Sequence, residues 1–466
     1  MTRVGFASLA TVAASLAVAC ADATSSSAPT SPDSDRSVTK SGLARDTNPN
    51  LTQEEKQAYE EGSLALTTDL LAQLRKEGSA SKNLAYSPAS IALALSMPYA
   101  GARGETASEM AKAMHWTLPQ DRMAKVYNYA SLQLAERMKE AQAAAAARSS
   151  AGADRLAGEN GIRPATASPL ANGSNADDIR IHSVNALWAD QTLTIESPFL
   201  DSMAVNYGAG VTRADFIGKP DSERKAINTW VSRETRDKIN DLLPENSIRL
   251  DTRLVLVNAM HLKMPWDEPM QKQGAPLTFT QGDGAAKQVP SVGQLESLGY
   301  FENSDVQAVR VPLLGGSVAA LFVLPKRDLD SFESSVTPAA LEAIRAGLAS
   351  KRVNLTLPVF NFTSDSISLK NILKSLGMVR AFDEADFSAI SASTKLSIGD
   401  VFHKAMVGLD ENGVEAAAAT AVVMLKNSAS GDQEQPKVFT ANKPFMFMIE
   451  DLPTKTVLFA GHVHTP

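Results

Sequence analysis

Residues 410–424 read Asp410-Glu411-Asn412-Gly413-Val414-Glu415-Ala416-Ala417-Ala418-Ala419-Thr420-Ala421-Val422-Val423-Met424. A strand-like run, Leu396–Leu409, precedes them, and Asp410 to Gly413 is a turn-like break. Alanine's intrinsic propensity argues for a helix after the break. Read instead with period two, Val414, Ala416, Ala418, Thr420, Val422 and Met424 share one face, and Glu415, Ala417, Ala419, Ala421 and Val423 the other. A segment so small and so nearly uncharged can enter a sheet almost anywhere. The polar tract Asn427–Gln435 that follows reads as exposed.

Outward from this stretch, the rest of the chain reads as α+β. Tyr59, Leu64, Leu66, Leu70, Leu71 and Leu74 give a helical apolar face, a helix follows Ser87-Pro88, and residues 120–147 read as a long helix. Strand-like runs dominate later: Ile179–Trp188, Leu254–Lys263, Val289–Gln294, Ala308–Pro312, Val318–Leu324 and Val353–Pro358. Helical patterns at 197–207, 220–240 and 366–376 interrupt them, and Phe445–Glu450 with Val457–His462 reads as a buried hairpin. Residues 143–178, rich in Ala, Gly, Ser, Asn and Pro, read as an inserted disordered loop within one large domain over 51–466.

The composition restricts function. The 466 residues carry a formal net charge of -7, a poor match for nucleic acid or anionic membrane surfaces. There is no Gly-x-Ser-x-Gly elbow, no His-Glu-x-x-His, no phosphate loop and no dinucleotide fingerprint, so no enzyme chemistry is read here. His462 and His464 are two apart on the last strand and share a face; they read as a solvated chain end, not as a metal pair. No cofactor is expected.

Residues 1–19 read as a secretory signal, with Arg3 before an apolar stretch that ends Ala17-Val18-Ala19-Cys20. Cys20, the only cysteine, resembles the lipidated residue of a bacterial lipobox, and the polar tract 20–50 reads as a disordered tether. The expectation is an exported protein, a cell-envelope lipoprotein or a secreted one, touching membrane only through that lipid.

Asp410 to Ala419 resembles the hinge of the serpins, the serine protease inhibitor family. Other segments agree in order: Asn83 to Ile91 (NLAYSPASI), Gly101 to Thr106 (GARGET), Ile227 to Val231 (INTWV), Ile239 to Leu243 (INDLL), Leu254 to Trp266, Asn442 to Phe445 (NKPF) and Phe459 to Gly461. The resemblance spans roughly 53–466. It implies the serpin fold, with about three β-sheets, eight to nine helices and an exposed reactive-centre loop over 411–437. It also implies a monomeric suicide substrate: a serine or cysteine endopeptidase cuts the loop, is trapped as an acyl-enzyme, and is carried along as the loop inserts into the central sheet. The alternative is a non-inhibitory binding or carrier member.

By this resemblance Glu411, Gly413, Val414, Glu415, Ala416, Ala417, Ala418 and Ala419 form the hinge, with Gly413 permitting the backbone swing. Val414 stands where the family usually has Thr or Ser. Ser87, Ser90, Asn258 and His403 form a buried cluster that controls sheet opening, and Trp266 lies where the loop first enters. Counted from Glu411 at the family's customary spacing, the scissile bond is Asn427–Ser428; a one-residue shift gives Lys426–Asn427 and a trypsin-like target.

Overall fold

The computed structural model describes residues 36–157, 179–414 and 435–466. Among the described residues there are nine α-helices and three sheets, the α+β arrangement expected from the sequence.

The first sheet has eight strands. Across it run β1 (Val38–Thr39), β4 (Val211–Ala214), β3 (Arg180–Asp190), β5 (Leu254–Pro265), β16 (Gly413–Val414), β15 (Val401–Leu409) and β13 (Phe360–Thr363), while β14 (Ile367–Ser368) pairs the start of β15. The second has nine: β17 (Lys437–Thr440), β12 (Ala349–Pro358), β9 (Ser291–Glu302), β10 (Val306–Pro312), β11 (Val318–Pro325), β18 (Phe445–Asp451), β19 (Thr456–Val463) and β2 (Leu84–Tyr86), with β6 (Gln271–Lys272) paired to β9. A ribbon of β7 (Leu277–Thr280) and β8 (Ala286–Val289) stands apart. The helices are α1 (Gln53–Leu74), α2 (Pro88–Gly101), α3 (Gly104–Ala113), α4 (Gln120–Ala157), α5 (Ser197–Tyr207), α6 (Pro220–Glu234), α7 (Leu329–Ser334), α8 (Pro338–Gly347) and α9 (Lys370–Ser375).

Local sequence explains the elements that matter for the site. Helix α1 starts in a capping box: the Thr52 hydroxyl accepts from the Glu55 amide and the Glu55 carboxylate accepts from the Thr52 amide. Ser87 caps α2 and Pro88 fills its first turn. β5 is a near-continuous apolar run because both its faces are covered. Met260, Leu262 and Met264 enter the core shared with the second sheet, while Val255, Val257 and Ala259 pack beneath α6 with Ile227, Trp230 and Val231.

The structure departs from the sequence expectation in four places. The tether expected over 20–50 is packed from residue 36: Val38 and Thr39 pair with Thr212 and Val211, Arg36 lies 2.8 Å from Glu223, and Arg45 donates to Asn128 Oδ1 at 2.8 Å. Backbone pairing and polar side chains do this work, so no apolar periodicity announces it. The loop expected from residue 143 is helical as far as Ala157, with Ala141 and Ala145 fully buried one turn apart, where small residues permit close packing. The helix expected over 220–240 stops at Glu234. Arg236 and Asp237 then take positive φ, and Asn228 pulls the chain back by bonding both the amide (2.8 Å) and the carbonyl (2.9 Å) of Leu243. Finally, His462 and His464 are buried, not solvated, at 0% and 7% exposure.

Candidate functional site: the hinge and the cluster beneath it

The two central strands of the first sheet are joined along only part of their length. β15 pairs directly and in parallel with β5 from Val401↔Leu256 to Ala405↔Met260. Beyond that point Gly413 and Val414 lie between them, with Gly413↔Pro265 and Val414↔Met264 on one side and Leu409↔Val414 on the other. Gly413 and Val414 therefore form a short strand of their own between β5 and β15.

The turn that delivers it is tightly bonded. The Asp410 amide donates to the Gly413 carbonyl at 3.1 Å, and the Asp410 carboxylate accepts from the Asn412 amide at 2.7 Å. Trp266, fully buried, donates its indole N–H to the Asp410 carbonyl at 2.9 Å and its amide to the Asn412 carbonyl at 2.9 Å. Lys272 reaches Glu411 Oε1 at 2.9 Å, and that carboxylate raises the ammonium above its ordinary value. Burial pushes the Asp410 carboxyl up and Glu411 adds to this, while the amides of Asn412 and Gly413 act in the opposite sense.

Gly413 is required in this structure by close approach. Its φ is not in the left-handed region. A Cβ on it would collide with the Met264 carbonyl and lie 2.7 Å from Pro265 Cα, so only glycine lets the hinge lie flush against β5. Val414 is 4% exposed and joins the apolar cluster of Met264, Leu409 and Phe360. Its departure from the family's usual polar residue thus matches an apolar socket.

Directly under the β5–β15 junction lies the cluster of Ser87, Ser90, Asn258 and His403, brought together with none more than 1% exposed. His403 stands opposite Asn258 in the ladder. The Ser87 amide donates to His403 Nε2 at 3.0 Å, so that nitrogen is unprotonated and Nδ1 carries the proton given to Asn258 Oδ1 at 2.9 Å. The Ser90 hydroxyl donates to the same oxygen at 2.9 Å. The Asn258 amide donates to the Ser90 carbonyl at 2.6 Å and to Asn185 Oδ1 at 2.7 Å. Burial pushes His403 down to about 3, which keeps it neutral and consistent with this tautomer.

Sequence reasoning missed Asn185, which ties β3 to the cluster, and Lys272; neither carries a local motif. Met260, whose sulfur receives the Ser87 hydroxyl at 3.2 Å, was likewise unforeseen. Among the described residues no group of three or more His, Cys, Asp or Glu side chains is arranged to hold a metal. Cys20, Glu415, Ala416 to Ala419, Lys426, Asn427 and Ser428 lie outside the described residues.

A mixed sheet whose central strands are parted at one end by the start of a long connection is the frame of a loop-bearing inhibitor fold. The chain belongs to the serpin family: the family described as Serpin (serine protease inhibitor) matches residues 61–466. An uncharacterized serpin-like protein of Thermococcus kodakarensis is 32% identical over 385 residues, covering 82% of this chain and 81% of that protein. Serpin B4 of Homo sapiens is 32% identical over 406 residues, covering 85% of this chain and 97% of its own. The native structure of tengpin, a thermophilic serpin, superposes with a TM-score of 0.71 at 22% identity, covering 92% of this chain and all of that one, and so supports the fold. Serpins are mostly protease inhibitors, not enzymes, and the family generally forms complexes with target proteases.

Proposed function

We propose that this chain is a suicide-substrate protease inhibitor. The observation that carries the reading is Val414 standing between Met264 and Leu409, which supports entry of a strand at this point of the sheet. Gly413 pairs with Pro265 and Val414 with Met264, antiparallel to β5. Continued in that register, Thr420 comes opposite Asn258 and Met424 opposite Leu254, the first residue of β5. The segment free of bulky obstacles, Val414–Met424, thus has the length that β5 can receive. Opposite Met260 to Leu256 the inserted residues, Ala418 to Val422, replace the direct β5–β15 pairing, and the cluster around His403 resists that replacement until the loop is cut.

In this reading the nucleophile of a serine or cysteine protease attacks the carbonyl of Asn427 or Lys426. The amine of the following residue leaves and an acyl-enzyme forms. Insertion then outpaces hydrolysis, and the native state before cleavage is kinetically trapped. We further propose export, with a lipid on Cys20 when the protein is anchored. Incubation with trypsin-, subtilisin-, elastase- and papain-type enzymes tests inhibition. The expected result is a covalent complex that survives SDS and a released peptide whose mass begins at Ser428 or Asn427. Loop cleavage without any complex supports the carrier alternative and overturns the proposal.

A further inference from the structure

The buried histidines near the end of β19 take no part in the hinge. In His462 both ring nitrogens face acceptors. Nδ1 is 2.8 Å from Glu333 Oε1 on α7, and Nε2 is 3.1 Å from the carbonyl of Ser79, the last residue of a π-turn over Arg75–Ser79. A carbonyl and an ionised carboxylate only accept hydrogen bonds, so this geometry is satisfied by the imidazolium, with a proton on each nitrogen. Glu333 is itself enclosed; its other oxygen lies 3.1 Å from Arg75 Nε, and Arg75 also reaches Asp330 at 2.7 Å.

His464 meets His462 edge to face, with ring centroids 4.9 Å apart at 88°. Both its ring nitrogens are buried and have no hydrogen-bond partner. Burial holds His464 below its ordinary value; His462 and Arg75 add to that, while Glu333 and Asp330 oppose it. Gly282, in the turn of the β7–β8 ribbon, abuts the ring, and a Cβ there would lie 2.6 Å from Nδ1. The backbone around His464 is fastened. The amides of His464 and Thr465 both donate to Asn83 Oδ1 at 2.8 and 2.9 Å. From the ribbon, Gln281 donates to the Thr465 hydroxyl and Lys287 to the Pro466 carbonyl, each at 2.9 Å.

We propose that the two rings form an acid-sensitive latch: His462 holds the proton that Glu333 and Ser79 engage, His464 stays neutral, and protonating His464 as well frees residues 464–466 from Asn83 and from the ribbon. Two imidazolium rings in edge contact repel, and Gly282 leaves the second one no room to hydrate in place. The latch bears on the loop's downstream anchor, because the ribbon's Thr280 amide donates at 2.8 Å to the carbonyl of Asn442, between β17 and β18. Release therefore loosens the base on which the reactive loop ends. The direction follows from linkage. The unfolded chain takes up the His464 proton near 6.5, above the folded value, so stability falls as the pH drops below about 6.5.

Imidazole ¹⁵N spectra of the full chain between pH 8 and 4.5, with thermal midpoints of the wild type and His464→Gln over the same range, test the latch. Expected at pH 7 are two protonated nitrogens on His462 and one on His464. On acidification His464 gains its second proton while the amide signals of Asn83 and Gly282 shift, and the wild-type midpoint falls more steeply than that of His464→Gln. His403 titrates in both proteins and drops out of the comparison. A neutral His462 at pH 7, protonation of His464 without change at Asn83 and Gly282, or equal slopes in the two proteins overturns the proposal. Should His464→Gln fail to fold, the wild-type spectra alone decide.

Discussion

Val414 is paired with Met264 across one edge and with Leu409 across the other, and on the proposed mechanism this pairing is the first rung of loop insertion. Its side chain fills an apolar socket. Val414→Thr places a hydroxyl there at a cost of about 1–3 kcal/mol, which frees the hinge: the complex with the target protease still forms, and forms faster. Val414→Glu leaves a charge that cannot enter, and the protein becomes a substrate. The ratio of SDS-stable complex to cleaved chain on a gel reads both outcomes, and an unchanged ratio for Val414→Glu contradicts the assignment.

Trp266 fixes the turn through its indole bond to the Asp410 carbonyl. Trp266→Phe keeps most of the ring and leaves that carbonyl without its donor, a loss of about 1–3 kcal/mol. The urea midpoint should fall accordingly, and limited proteolysis should cut the loop earlier than in the wild type.

Asn185→Ala removes the acceptor that holds one hydrogen of the Asn258 amide. A buried donor is left unpaired, again about 1–3 kcal/mol, at the β5–β15 junction. Spontaneous conversion to a loop-inserted, inactive form should accelerate, measured as loss of inhibition during incubation at fixed temperature. Folding speed and secondary structure should stay close to wild type.

The same junction sets a pH dependence. His403 is held neutral with its value pushed down to about 3 by burial, whereas the unfolded chain takes up that proton near 6.5. Stability is therefore full above about pH 6.5 and declines continuously toward pH 3. Inhibitory half-life should shorten over that range, and His403→Gln should flatten the profile while lowering it at neutral pH.

The cluster of Ser87, Ser90, Asn258 and His403 was legible because the short segments that carry it resemble the family's and survive in one dimension. The close approach at Gly413 was not legible: it depends on the Met264 carbonyl, about 150 residues earlier in the chain. His462 and His464 were misread for a similar reason. Period two shows that they share a face, but the six-residue α7 that covers it carries no signal pointing there. Residues 36–50 pack through main-chain pairing and polar bonds, which composition reports as a tether. Asn185 looks like any strand asparagine until Asn258 is set beside it.

On the proposed mechanism the cut loop becomes a strand between β5 and β15. The thermal midpoint of the loop-cleaved chain, compared with that of the intact chain, decides whether it does. Each added rung contributes about 1 kcal/mol net, so a full insertion predicts a rise of roughly 10 °C or more. A cleaved chain that melts at or below the temperature of the intact one contradicts the account.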